Sequence, residues 1–207
     1  MKTLPEPWLT TYNERRDAIR ARLEDFRDVP KSEYFYELIF CILTPQSYQK
    51  NAEQVIEKLK TDNFFDAGFD PTSYLRDPQH YIRFHNVKAK RLLAIREIYP
   101  IIETTLSTIT DSSALRDTIV KLVPGFGLKE GAHFLRNIGY LNNAILDRHI
   151  FKHLLRLEVI DEIPKSLTTK TYYGIENKWK KYAKEIGIPM DELDLLFWSM
   201  ETGEIKK

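Results

Sequence analysis

The chain has a single cysteine, Cys41, and that fact removes whole classes of chemistry. Neither an iron–sulfur cluster held by four thiolates nor a cysteine-rich zinc site can be built from one thiol. Long apolar runs are also missing. The longest, such as Leu38 to Leu43, are far too short to span a bilayer, so no membrane partner is expected. Met1 to Pro7 is polar and proline-rich, without the basic and apolar order of a secretory signal, which with the lone cysteine points to a cytoplasmic protein. Nor is there an excess of charge of one sign: 31 basic and 30 acidic residues give a net charge of +1. A nucleic-acid binder usually shows a clearly basic domain, so a DNA partner here requires the basic groups to be segregated onto one face. Two stretches are candidates, Lys88, Lys90, Arg91 and Arg96, and then Lys178, Lys180, Lys181 and Lys184; each reads equally as a solvated helix face.

What is present is an ordinary globular composition, 43% hydrophobic and 29% charged, in 207 residues. That length suits one domain or two small ones sharing an interface. Few segments alternate with period two, and the apolar residues recur mostly at three to four positions, so the fold expected is all-α. Trp8, Tyr12, Ile19, Leu23 and Phe26 mark a first helix, and Tyr34 to Leu43, apolar almost all round, a central one ended or kinked by Pro45. Gln49 to Leu59 follows, then a loop-rich stretch from Thr61 to Asn86 punctuated by Gly68, Pro71 and Pro78. Val87 to Leu106 reads as one long helix or as two divided at Pro100. Further helices are expected over Asp111 to Leu122, Lys129 to Ile138, Arg148 to Leu157, Thr171 to Ile186 and Asp191 to Met200.

Between two of these lies Pro124-Gly125-Phe126-Gly127. Gly125 and Gly127 permit a tight turn with exposed N–H groups beside a helix N-terminus, a place that binds phosphate without many basic side chains. Taken alone it is a simple αα-turn. Lys129 alone is a surface lysine, and Asp147 alone is a helix N-cap.

The joint pattern is more specific. Pro124-Gly-Phe-Gly-x-Lys129, with Asp147 eighteen residues further on, resembles the helix-hairpin-helix Gly/Pro…Asp superfamily of DNA glycosylases. Gly125 through Tyr140, Ala144-Ile-Leu-Asp-Arg-His149 and the segment Leu193 to Lys207 are similar to one branch, the compact, largely archaeal second class of 8-oxoguanine DNA glycosylase/lyases. The resemblance implies two helical lobes with a cleft between them: residues 1–30 with 140–207 in one, and 31–139, ending in the hairpin over 121–138, in the other. It implies a bifunctional enzyme acting as a monomer on double-stranded DNA containing a damaged base. Lys129 would attack the sugar C1′ and form a Schiff base that permits β-elimination, and Asp147 would stabilise positive charge on the sugar. The amine must be neutral to attack. A helix N-terminus and a partly desolvated pocket would lower it from the usual ~10.4.

The same resemblance assigns further roles. Gln46 would enter the duplex as a wedge, although close relatives usually read Thr-Ala-Asn where this chain has Thr44-Pro45-Gln46. Trp198 and Phe84 would stack on the extruded purine. Trp198 also fits a core position with Leu195 and Leu196. Asp194 and Lys207, the latter through its terminal carboxylate, match residues that contact the base. Arg148, Gly125 and Gly127 would touch DNA. No cofactor is required, though Na+ or K+ is expected at the backbone carbonyls of Lys121, Val123 and Phe126. His149 and His153 are four apart, but no glutamate follows the first, so the zinc-protease pattern is absent. His85-Asn86 and Ser199-Met200 depart from that branch and leave the lesion open. Two other readings keep the fold: an endonuclease III-like enzyme for oxidised pyrimidines, which commonly carries the cluster that Cys41 cannot build, and a non-catalytic hairpin module that binds DNA.

Overall fold

A computed structural model describes residues 2–206, and the Lys207 assignment lies outside them. The described residues form eleven α-helices and two 3-10 turns, with no strand among them. The chain divides into two compact units: a central unit, Val29 to Phe134, and a terminal unit made of residues up to Asp28 and from Leu135 on.

The central unit is built on α2 (Tyr34–Leu43), which carries eight buried residues, seven of them Phe35 and Leu38 to Leu43. Burying each large apolar side chain is worth about 1.5–3 kcal/mol, so a helix this apolar is held by its neighbours on every side. Those neighbours are α3 (Gln49–Thr61) and α6 (His85–Thr108). The stretch expected to be loop-rich contains α4 (Phe64–Ala67), α5 (Thr72–Arg76) and a 3-10 turn over Pro78–His80. Phe64 and Phe65 anchor it by ring contacts to Phe35, an attraction between aromatic faces and edges that polar turn residues did not reveal. Of the two readings left open at Pro100, the structure takes the single helix. α6 runs through the proline, losing one backbone hydrogen bond, because Ile95, Tyr99, Ile102 and Leu106 keep one face of both halves buried. α7 (Ser112–Leu122) starts at Asp111, whose carboxylate accepts from the Ala114 N–H at 2.7 Å.

α8 (Leu128–Asn137) begins in the central unit and ends in the terminal one. It stops where Gly139 turns left-handed, φ +86, with the Tyr140 N–H returning to Leu135 O at 2.8 Å. A Cβ there would stand 2.9 Å from Arg27 Cα, so the position admits only glycine. In the terminal unit α11 (Met190–Thr202) packs against α1 (Trp8–Arg27), α9 (Arg148–Arg156) and α10 (Thr169–Ile186). His153 stacks on Phe197 at 4.7 Å, and the Trp8 indole N–H donates to His153 Nδ1 at 2.7 Å. Burial pushes this histidine down to about 4, so it is a neutral core residue and not a DNA contact.

Candidate active site

The hairpin follows from its sequence. Val123 N–H closes α7 on Ile119 O, and Phe126 N–H returns to Val123 O at 3.2 Å across Pro124 and Gly125. Gly125 takes φ +89, and the Arg91 guanidinium lies over it so closely that a Cβ would come within 2.4 Å of Cζ. Phe126 is buried near Phe134, which ties the turn to α8. Gly127 then caps α8. Its N–H donates to Glu130 Oε2 at 3.2 Å, the return contact of a capping box three residues on.

Glu130 was not singled out from sequence, and it changes the electrostatics. The amide at Gly127, expected to await a phosphate, already faces a carboxylate from its own helix. Lys129, the second residue of α8, is about one-third exposed, and its Nζ lies 3.7 Å from Glu130 Oε1. An amine at a helix head thus sits beside an internal counter-ion.

Asp147 precedes α9 with an extended backbone, φ −111 and ψ −179, and is the N-cap of that helix. Oδ1 accepts from both His149 N–H, 2.8 Å, and Ile150 N–H, 2.9 Å. The cap uses one oxygen twice, so the second carboxylate oxygen is left out of it. Arg148 is exposed, with Nε 3.1 Å from His149 Nε2. His149 in turn meets the Trp198 ring edge-to-face at 5.1 Å and 88°, and its Nδ1 lies 3.7 Å from Glu201 Oε2. Trp198 is therefore half-buried on α11 with its ring plane set by His149.

Asp194 is 6% exposed, and its carboxylate receives the Arg136 Nη1 donor, itself 5% exposed as a residue. Asp191 stands nearby on the same helix and accepts the Asn142 N–H through both oxygens, at 3.2 and 3.1 Å. Burial pushes the Asp194 carboxyl up to about 6; Arg136 pulls it down, while Asp147 and Asp191 raise it further. The folded value thus lies above the ~3.9 of an unfolded chain. Stability from the neutral carboxyl is complete below that unfolded value and is lost as pH rises through about 6. Asp194→Asn cannot ionise. Whatever its absolute offset, its stability in urea melts should gain on wild type from about pH 4 to about pH 6.5 and then run parallel. A difference that stays constant over that span would refute the raised carboxyl.

In the central unit, Gln46 and Phe84 are both exposed and both left-handed, with φ 58 and φ 61. Phe84 is 49% exposed, with the Arg83 guanidinium 5.0 Å from its ring centroid. The basic stretch beyond it is not a solvated face. Lys88 is 3% exposed, Arg91 covers Gly125, and Arg96 donates to Phe65 O and Asp66 O; Lys90 alone of the four is exposed. On α10, Lys178, Lys180 and Lys181 lie within 4 Å of Asp161, Glu176 and Glu185. The first stretch is thus largely turned inward, whereas Lys178, Lys181 and Lys184 stay exposed on α10, as on a solvated helix face.

An all-helical chain in which a Pro-Gly-Phe-Gly turn sets a lysine at the head of one helix, and an aspartate caps the next, has the parts of the helix-hairpin-helix DNA glycosylase fold. The family model described as 8-oxoguanine DNA glycosylase matches residues 19–188. The 8-oxoguanine DNA glycosylase/AP lyase of Fusobacterium nucleatum is 41% identical, over 95% of this chain and 94% of its own. That of Methanocaldococcus jannaschii is 32% identical, over 94% of each. The crystal structure of the M. jannaschii enzyme superposes with a TM-score of 0.82 at 29% identity, covering 97% of this chain and 95% of that one. The same enzyme in complex with a 15mer DNA containing 8-oxoguanine gives 0.81. This chain belongs to the 8-oxoguanine DNA glycosylase family.

Proposed function

We propose that this protein is a bifunctional DNA glycosylase/AP lyase that removes 8-oxoguanine from double-stranded DNA and cleaves the strand at the resulting site. Family membership over most of the chain carries the reading, and the hairpin supplies the chemistry. Lys129 Nζ attacks C1′, the N-glycosidic bond breaks, and the base departs with a proton. Loss of a proton from nitrogen and opening of the sugar give the Schiff base. A proton then leaves C2′, the C3′–O bond breaks, the 3′ phosphate departs, and hydrolysis returns the free lysine. Asp147, through the oxygen its cap leaves over, stabilises the positive charge that develops on the sugar.

A base in a duplex is out of reach of that amine, so the nucleotide must be extruded. Gln46 fills the gap, while Phe84 and Trp198 offer aromatic faces to the purine. Arg148 and Gly125 meet the backbone, and Gly127 does so once a phosphate displaces Glu130 Oε2 from its N–H. Asp194, paired with Arg136, and Lys207, through its carboxylate, recognise the base. A monovalent cation fits the carbonyls of Lys121, Val123 and Phe126, since the Val123 oxygen takes one N–H and retains a second lone pair. The protein acts as a monomer in the cytoplasm, and none of its described helices is long and apolar enough to cross a membrane.

Duplexes carrying 8-oxoguanine opposite each of the four bases, run beside a thymine glycol duplex, test the reading. Cleavage at 8-oxoguanine and not at thymine glycol is expected. The reverse preference would make it an endonuclease III-like enzyme, and tight binding without turnover a DNA-binding module.

A further inference from the structure

Three exposed residues other than glycine hold a positive φ in the central unit, Gln46, Asn63 and Phe84, and two of them, Gln46 and Phe84, flank one buried side chain. L-residues adopt that conformation only where their surroundings fix it. Here the surroundings converge on one side chain. Lys88 lies in the first turn of α6, three residues into the helix that Phe84 caps, and is 3% exposed. Its Nζ donates to Leu43 O at 2.8 Å, to Pro45 O at 2.8 Å and to Ser47 Oγ at 3.3 Å. An ammonium group has three donors, and these are three acceptors. Pro45 O belongs to the peptide that enters Gln46, so the contact grips the turn on one side of that residue and Ser47 grips it on the other.

The same lysine reaches the second loop. Its backbone N–H donates to Phe84 O at 3.0 Å, and the Ser47 hydroxyl it holds also accepts the Arg83 N–H at 3.0 Å. Leu43 ends α2, where carbonyls lack helical partners and the helix dipole favours a cation. A buried charge satisfied only by carbonyls from one turn and a hydroxyl shared with another is a joint between them.

We infer that Lys88 is a positioning residue for base extrusion: it locks the Gln46 turn to the Phe84 loop, so that wedge and stacking ring meet the duplex as one preformed element. The inference rests on the roles proposed above for those two residues. It predicts a defect in extrusion and not in the lysine chemistry, because an abasic site has no base to extrude.

The experiment compares wild type, Lys88→Met and Ser47→Ala on two duplexes that differ only at the target, 8-oxoguanine or an abasic site, each with 2-aminopurine beside it to report unstacking. Lys88→Met should slow single-turnover excision of 8-oxoguanine, and the fluorescence rise that precedes it, by about ten- to a hundredfold. Cleavage of the abasic duplex should stay within about twofold, since no stacked and paired base has to be pulled out. Ser47→Ala should move the same two signals in the same direction by less, and it decides the matter if Lys88→Met does not fold. Normal unstacking and excision in the variants would overturn the inference. So would equal loss on both duplexes, which marks a purely structural lysine. A wild type inert on 8-oxoguanine would overturn the substrate reading itself and this inference with it, a failure seen in the parent and not in the variants.

Discussion

Lys129→Gln should form no borohydride-trapped adduct with 8-oxoguanine duplex and should lose base excision and strand cleavage by on the order of a thousandfold or more. Glutamine has no lone pair basic enough to add to C1′, and a water in its place cannot form the Schiff base on which β-elimination depends. The fold should survive. Lys129 is the second residue of α8, is about one-third exposed, and its side chain lies 3.7 Å from the neighbouring Glu130 carboxylate. Such a contact adds little in water, and glutamine is nearly as good a helix former as lysine. The melting temperature should therefore stay within a few degrees of wild type. An adduct formed by Lys129→Gln at the wild-type level would assign the nucleophile elsewhere and remove the mechanism.

Asp147→Asn and Asp147→Ala should part company. Asparagine caps a helix about as well as aspartate, so Asp147→Asn should melt near the wild-type temperature. It has no negative charge to set against a developing cation, and excision should fall by about a hundred- to a thousandfold. Asp147→Ala loses the cap as well. That costs about 1 kcal/mol, or roughly 2–4 °C in a chain of this size, on top of the same loss of turnover. Full activity in Asp147→Asn would reduce the residue to a cap, which its geometry already makes it: two N–H groups at 2.8 and 2.9 Å on one oxygen. The two variants separate the roles because capping needs only a lone pair, whereas stabilising a cation needs a charge.

The helices were legible because their burial is periodic. Tyr34 to Leu43 is the exception, legible to the residue because it is apolar almost all round, and α7 is announced by Asp111 at its cap. The hairpin was legible through Gly125, whose positive φ only glycine meets without strain. Periodicity is silent where a charge turns inward. Lys88, Arg91 and Arg96 look like a basic face on the page, yet their targets are carbonyls and a glycine at positions 43, 45, 65, 66 and 125, set by the fold and not by spacing. Arg136 and Asp194 are 58 residues apart and find each other only once α8 and α11 are placed. Glu130 is different. Gly127-x-x-Glu130 carries the spacing of a capping box, so that contact is legible in the sequence.

The burial of Lys88 also decides how that amine can react. Desolvation, with a smaller push from Arg91, brings Lys88 down to about 8, so it holds more free amine at neutral pH than an ordinary surface lysine. An acylating reagent or a sugar aldehyde would find such a group first if it could touch it. At 3% exposure, with its donors turned to Leu43, Pro45 and Ser47, it is sealed from both. The lowered amine of Lys88 is thereby denied any partner outside the protein, and it serves as a structural donor and not as a nucleophile.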